Sequence, residues 1–112
     1  MVDVVLRCTQ DGEFRELQAS GHANFAARGN DIVCAAISVL SRTAESFLIK
    51  DVNVGVLVNA PQPGQYALVV TDSSRHNIEQ LRFLALFLTE GFTGLQRDFP
   101  ENLSFKQEIA HS

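Results

Sequence analysis

The pattern of apolar and polar positions divides the chain into five strand-like and two helix-like segments. Val2 to Cys8 is rich in β-branched residues, and Glu13 to Ala19 partly alternates apolar and polar positions. Asp11 and Gly12 lie between them, and an Asp-Gly pair there is typical of a tight hairpin turn because glycine accepts a positive φ. The alternation slips at Phe14, as it does where a strand contains a β-bulge.

The clearest helical pattern follows this hairpin, with apolar residues recurring on one helix face at positions 33, 37, 40, 44, 47 and 48. Asn30 and Asp31 both have side chains suited to an N-cap, so we expect a helix from about Ile32 to about Ile49. The preceding stretch, Ser20 to Asn30, holds two glycines and no sustained period. It predicts a loop of about ten residues, and a loop this long in a small domain is often functional.

The second half predicts another pair of strands. Valines at every second position from 52 to 58 form one face of a strand, and Pro61 and Pro63-Gly64 then interrupt the chain. Tyr66 to Thr71 has the apolar, β-branched composition of a buried strand. We therefore expect these two segments to form a second hairpin-like pair.

A second helix follows capping residues at 72–74, and it is apolar on more than one side. One stripe consists of Ile78, Leu81, Leu84, Ala85 and Leu88, while Phe83, Leu86 and Phe87 cover much of the remaining surface. A helix of this kind must be covered on a second face, so we predict a homodimer. Gly91 and Gly94 are expected to end the helix. Leu103 and Phe105 alternate with polar residues in a last short strand.

The resulting order, ββαββαβ, is typical of an α+β fold, here a small mixed sheet with two helices packed on it. The 112 residues fit a single domain spanning 1–112, since no repeat, linker or low-complexity tract interrupts them. Hydrophobic residues make up 46% of the chain and charged residues 20%, which are ordinary values for globular proteins.

Charge and hydropathy exclude several classes of function. The net charge is −4 and the basic residues are scattered, which argues against direct binding of nucleic acid. The N-terminus has no basic segment ahead of an apolar run, so we expect no signal peptide. The longest apolar runs, Phe83 to Leu88 among them, are far shorter than a membrane span. These features predict a cytoplasmic protein that does not enter a membrane.

Cys34 is the strongest candidate for chemistry in the chain. With Asp31 as N-cap it is the third residue of the helix, where the positive end of the helix dipole favours the nucleophilic thiolate. The first-turn N–H groups of the helix are also donors for a tetrahedral oxyanion. Ser38 follows four positions later on the same helix face.

His22 lies twelve positions before Cys34, at the far end of the glycine-bearing loop. An imidazole that reaches the sulfur takes its proton and then protonates the leaving amine, as peptide hydrolysis by a thiolate requires. Asp31 is suited both to capping the helix and to orienting His22, and the sequence does not separate these roles.

Each of these residues also has a structural interpretation. Cys34 and Cys8 could be small buried hydrophobic residues, and a reducing cytosol disfavours a disulfide between them. His22 could be an ordinary loop histidine, and Ser38 a helix-packing residue. The remaining histidines, His76 and His111, have no spaced partners, so we expect no metal site.

The segments Gly21 to Ala23 and Asp31 to Ala36, together with Gly29 and Ser38, resemble the motif of the bacterial ribosomal-processing cysteine protease family, Prp. The resemblance is strongest in the first half, and the length and element order fit the whole chain. It implies a cofactor-independent, homodimeric, cytoplasmic endopeptidase. The implied substrate is a large-subunit ribosomal protein with a short N-terminal extension, removed next to an aromatic-rich segment.

The resemblance also assigns roles to individual residues. It implies that Cys34 is the nucleophile and His22 its general base and acid. The other matched residues would support them: Gly21 shapes the histidine turn, Gly29 keeps the loop mobile, Asp31 supports the site and Ser38 lines it.

Two other functions fit the sequence. The first is a non-catalytic ribosome-associated assembly or binding protein, in which Cys34 would alkylate no faster than Cys8. The second is a thiol redox sensor, for which Cys8 is the only candidate resolving cysteine.

Overall fold

The structure, a computed structural model, describes residues 1–21 and 30–110, and in the second range it describes side chains from Ile32 onward. This part of the chain contains the predicted strands and helices in the predicted order. They are β1 (Val2–Cys8), β2 (Phe14–Ser20), α1 (Asn30–Ile49), β3 (Gly55–Asn59), β4 (Gln65–Asp72), α2 (Ile78–Asp98) and β5 (Leu103–Ile109). A short 3₁₀ turn, Arg75–Asn77, precedes α2.

The strands form one mixed sheet in the order β3-β4-β2-β1-β5. The β1–β5 pair is parallel and the other three pairs are antiparallel. Both helices contact the sheet, α2 across β1, β2 and β5 and α1 at β3. The predicted α+β fold, with a small mixed sheet and two helices packed on it, is therefore confirmed.

Alternation along β1 determines which face of the sheet is buried. Val4 and Leu6 are fully buried, whereas the intervening Val5 and Arg7 are only partly buried. On the partly exposed face Arg7 makes an ion pair with Glu16 at 3.2 Å. One face of the sheet therefore contributes to the core, and the other carries charged side chains.

The β1–β2 hairpin contains the irregularity that the sequence indicated. Arg7 pairs with Glu16 but the next residue, Cys8, pairs with Phe14, so Arg15 is an extra residue on β2. This bulge returns Phe14 to the core face, where it is fully buried. At the hairpin turn Gly12 has the expected positive φ, +88°.

The helices bury apolar residues at helical spacing against the sheet. Buried residues on α1 are Val33, Ile37, Ala44 and Leu48, and those on α2 are Leu81, Leu84, Ala85, Leu88 and Phe92. The ring of Phe92 stacks on Phe105 of β5, with ring centroids 5.5 Å apart. Two residues of the apolar face predicted on α1 are not buried like the others, because Leu40 is half-buried and Phe47 is exposed.

The end of α2 and the start of β3 differ from the sequence prediction. Gly91 and Gly94 do not end α2, which continues to Asp98. A Cβ at Gly91 would lie 3.1 Å from a methyl of Leu40, so this glycine serves the close approach of α2 to α1. The third strand begins only at Gly55, and Val52 is almost fully exposed in the preceding turn.

Candidate active site

Cys34 lies near the start of α1, but its place in the helix differs from the prediction. The helix already includes Asn30 and Asp31, so neither is the N-cap and Cys34 is the fifth residue. The N–H of a fifth helical residue is bonded within the helix, and the dipole acts mainly on the first turn. The helix start is therefore a weaker reason for thiolate formation at Cys34 than the sequence suggested.

Cys34 borders a cleft of about 560 Å³ between α1 and the sheet. One wall is a single face of α1, formed by residues three or four positions apart: Cys34, Ile37, Ser38 and Ser41. Ala19 and Tyr66 from the sheet and the β3–β4 loop at 60–64 form the facing wall. The half-buried thiol thus lies beside a space large enough for part of a peptide.

Gly21 lies in the same cleft and needs to be glycine. Its φ is +131°, and a Cβ there would collide with the carbonyl oxygen of Met1. Its N–H donates to the carbonyl of Gly64 at 3.0 Å, which joins the end of β2 to the β3–β4 loop. The backbone conformation at position 21 therefore requires glycine. The predicted effect of Gly21 on the histidine turn stays a prediction.

The structure brings Cys34, Ser38 and Gly21 together around this cleft. The other predicted site residues are His22, Gly29 and the side chain of Asp31, and these lie outside the described residues. The distance from His22 to Cys34 and the two roles considered for Asp31 therefore remain predictions.

Tyr66 forms a polar contact at the wall of the cleft. Its hydroxyl donates to Glu45 Oε1 at 2.9 Å and lies 3.4 Å from the Ser41 carbonyl. Burial, followed by the hydrogen bond and the negative charge of Glu45, raises the pKa of Tyr66 well above its usual value. The nearby positive charge of Arg42 opposes this increase in the pKa. Tyr66 is thus a neutral hydrogen-bonding group at physiological pH.

Sequence reasoning missed the facing wall and the deeper part of the cleft. Pro61 and Pro63 were identified only as residues that interrupt the chain, and Tyr66 only as part of a buried strand. Ser41 could have been found, because it lies seven positions after Cys34 and so on the same helix face. The approach of the β3–β4 loop to α1 is a tertiary contact with no local signal in the sequence.

The described residues contain no cluster of three or more histidine, cysteine, aspartate or glutamate side chains able to hold a metal ion. The thiols of Cys8 and Cys34 are both free. The chemistry that this part of the chain offers is therefore that of a single thiol beside a peptide-sized cleft.

Comparison with known sequences identifies one family. The family model described as cysteine protease Prp matches residues 1–104. A curated relative, the ribosomal processing cysteine protease Prp of Bacillus subtilis (strain 168), is 27% identical over 113 residues. That match covers 97% of this chain and 99% of the relative, so the two proteins correspond along their whole lengths.

Solved structures share the fold. The chain is similar to the essential ribosomal processing protease Prp from S. aureus in complex with a substrate peptide, with a TM-score of 0.77 and 18% identity. This match covers 96% of this chain and all of that one. A protein from Streptococcus mutans matches with a TM-score of 0.76 and 26% identity, over 98% of this chain and 96% of the other.

Proposed function

The chain belongs to the cysteine protease Prp family, and on this premise we propose that it is an endopeptidase that uses Cys34 as nucleophile and His22 as general base and acid. The observation that carries the proposal is the position of Cys34, a half-buried free thiol at the edge of a peptide-sized cleft. Family membership supplies the reaction class, and the cleft supplies a place for the substrate.

The proposed reaction proceeds through a thioester. His22 takes the proton of Cys34, the sulfur attacks the carbonyl carbon of the scissile bond, and the protonated imidazole then gives its proton to the leaving amine. Water, activated by the same imidazole, hydrolyses the thioester and regenerates the thiol. Because Cys34 is the fifth helical residue, this scheme relies on His22 more than on the helix dipole for activation.

The supporting residues complete the proposal. We propose that Gly21 holds the backbone ahead of His22, that Asp31 orients the imidazole or assists the helix start, and that Ser38 lines the substrate cleft, with Gly29 in the supporting role that the family resemblance implies. No cofactor has a place in this reaction, since a thiol and an imidazole supply the nucleophile and the proton transfers.

The proposed substrate is a large-subunit ribosomal protein precursor with an N-terminal extension. The Bacillus subtilis relative is named for ribosomal processing, and a structurally similar protease from S. aureus was solved with a substrate peptide. Ribosomal proteins are mostly basic, and the net charge of −4 would favour their approach. We place the reaction in the cytoplasm, where ribosomes are assembled.

By length and composition alone, the segment Ile32–Ile49 of α1 is long and apolar enough to cross a membrane. Its residues Val33, Ile37, Ala44 and Leu48 are, however, buried against the sheet and α2. One face of α1 therefore packs in the core, as in an amphipathic helix of a globular domain.

The proposed enzyme is a homodimer formed through the outer surfaces of both helices. Leu40 and Phe47 of α1 and Phe83 and Phe87 of α2 line an apolar groove. Phe83 and Phe87 are 66% and 51% exposed. A second copy offers the same groove, and two identical faces can pair around a two-fold axis. Burying these rings would remove the large exposed aromatic surface of the monomer.

The direct test of the function is cleavage of the precursor, monitored by mass spectrometry. The wild-type protein should release the N-terminal extension, and Cys34→Ala and His22→Ala should each reduce kcat/KM by more than about 1,000-fold. Cys8→Ala is the matched control and should retain activity. Binding without cleavage by the wild-type protein would instead support the non-catalytic assembly protein.

The dimer is tested by light scattering coupled to size exclusion. The wild-type protein should have twice the chain mass of 12.3 kDa. Phe87→Glu places a charge in the groove and should shift the mass to one chain, whereas Val52→Glu, at a residue 95% exposed in a turn, should leave it unchanged. A wild-type protein of one chain mass at micromolar concentration would contradict the proposal.

A further inference from the structure

Among the described residues, the Ser41 hydroxyl is the one buried side-chain oxygen or nitrogen that has no hydrogen-bond partner, and it lines the cleft. The residue is only 3% exposed, so water offers little compensation. A buried hydroxyl without a partner is destabilising, and such a group in a native structure calls for an explanation.

The neighbouring polar groups do not satisfy this hydroxyl. Tyr66 donates to Glu45, and its contact with Ser41 is to the backbone carbonyl and not to the hydroxyl. Arg42, the next residue on α1, is exposed and lies at the rim of the cleft. The Ser41 hydroxyl turns about a single torsion, so it can point into the cleft without movement of the backbone.

The cleft between Cys34 and Ser41 is mostly apolar. Its walls there include Ile37, Ala19, the ring of Tyr66 and the two prolines of the β3–β4 loop. A substrate side chain in this space would contact apolar surface along its length and meet a hydroxyl at the end. Apolar walls with a few placed polar groups are the usual design of a specific ligand site.

Ser41 lies seven residues along the helix from Cys34, or about 10 Å at roughly 1.5 Å per residue. An extended peptide advances about 3.3 Å per residue, so this distance corresponds to about three substrate positions. The side chain that reaches Ser41 therefore belongs to a residue within about three positions of the scissile bond.

We infer that Ser41 is a specificity-determining residue that pairs with the polar end of an otherwise apolar substrate side chain near the scissile bond. This inference rests on the proposed peptidase function. Because the hydroxyl is already buried and unpaired without substrate, a polar-tipped side chain gains a hydrogen bond there that an apolar analogue of the same shape does not.

The test uses peptides that carry Tyr or Phe, and Gln or Met, at each of three positions on both sides of the scissile bond. At one position the wild-type protein should prefer the polar-tipped member of a pair by at least about tenfold in kcat/KM. Ser41→Ala should reduce this preference to within about twofold, through a loss of kcat/KM for the polar-tipped member of the pair. Ser46→Ala, an exposed serine on the same helix, is the control and should keep the preference.

A second measurement separates this inference from the proposed function. Binding of the same peptides to Cys34→Ala protein, followed by fluorescence anisotropy, reports the preference without cleavage. If the wild-type protein cleaves no peptide or precursor, the proposed function is wrong, and the ratio of Kd values still decides the role of Ser41. Equal affinity for both members of every pair, or a preference that survives Ser41→Ala, would overturn the inference.

Thermal unfolding gives a third criterion. Ser41→Ala removes an unpaired hydroxyl from a helix and should leave Tm unchanged or raise it. A clear fall in Tm would mean that the hydroxyl already has a partner within the chain, and this would also overturn the inference.

Discussion

The two cysteines are both free, half-buried and packed against the hydrophobic core, but they lie on different elements and differ in their access to the cleft. Cys8 ends β1 between two neighbouring strands, paired with Phe14 on one side and Ile109 on the other. Burial raises the pKa of the Cys8 thiol. Cys34 instead lies on a helix face that borders the cleft. Because both thiols are partly buried, access to a substrate-sized cleft, and not the degree of burial, is the feature that separates the proposed nucleophile Cys34 from Cys8.

The largest expected difference is in alkylation rate. With iodoacetamide at neutral pH, Cys34 should react at least about tenfold faster than Cys8, because the thiolate is the reactive form and a raised pKa reduces it at Cys8. The rate at Cys8 should continue to rise above pH 9. Rates for the two sites, followed by peptide mapping, check this prediction, and equal slow rates would favour the non-catalytic interpretation.

A smaller difference is expected in stability. Cys8 packs against the core in the sheet, so Cys8→Ser should lower the free energy of unfolding by about 1–2 kcal/mol, since serine brings a hydroxyl into an apolar site. Cys34 also packs against the core, but it borders the cleft, where a serine hydroxyl can reach water, so Cys34→Ser should change the free energy of unfolding by less than about 0.5 kcal/mol. Urea unfolding of both variants measures this contrast, and a larger loss at Cys34 would make that cysteine the structural one.

The smallest expected effect is a dependence of stability on pH. It arises at Tyr66, the chain's single tyrosine, which lines the same cleft as Cys34. Because the pKa of Tyr66 is raised in the folded state, its contribution to stability is complete below the unfolded value of about 10 and is lost as pH rises above it. Tyr66→Phe should reduce the free energy of unfolding by about 1 kcal/mol at pH 7. It should also make the free energy of unfolding fall less steeply as the pH rises above about 10.

Measurements of the free energy of unfolding between pH 8 and 11 check the Tyr66 prediction. Cys8 also has a raised pKa, so Cys8→Ala is the background in which both tyrosine forms should be compared. If the free energy of unfolding falls equally steeply with pH in the protein with Tyr66 and in Tyr66→Phe, ionisation of Tyr66 is not the cause of the fall.

Much of the fold could be predicted because local patterns determine it. Asp11-Gly12 predicts the first turn, and the slipped alternation at Phe14 indicates the bulge that the register shows. The predicted end of α2 is wrong. Glycine is common at helix ends, but Gly91 lies within the helix, where its lack of a side chain makes room for Leu40 of α1. That role depends on how two helices approach each other, which a local pattern does not contain.

In the candidate site, too, the sequence predicts the features set by local spacing and misses those set by tertiary contacts. Cys34 and Ser38 share a helix face by spacing alone, and the structure places both at the cleft. The exact start of α1 was missed because Asn30 and Asp31 are as acceptable in a first helical turn as at an N-cap. Tyr66 reaches the cleft only through the order of strands in the sheet, so the sequence marked it as a core residue.

The most direct test of the central claim is to trap the thioester. The wild-type protein is mixed with precursor, quenched in acid within the first turnover and mapped by mass spectrometry. The account predicts that the peptide containing Cys34 gains the mass of the released extension less one water, while the peptide containing Cys8 gains none. Cleavage that proceeds while the added mass is found on Cys8, or while the Cys34→Ala protein remains active, would contradict it.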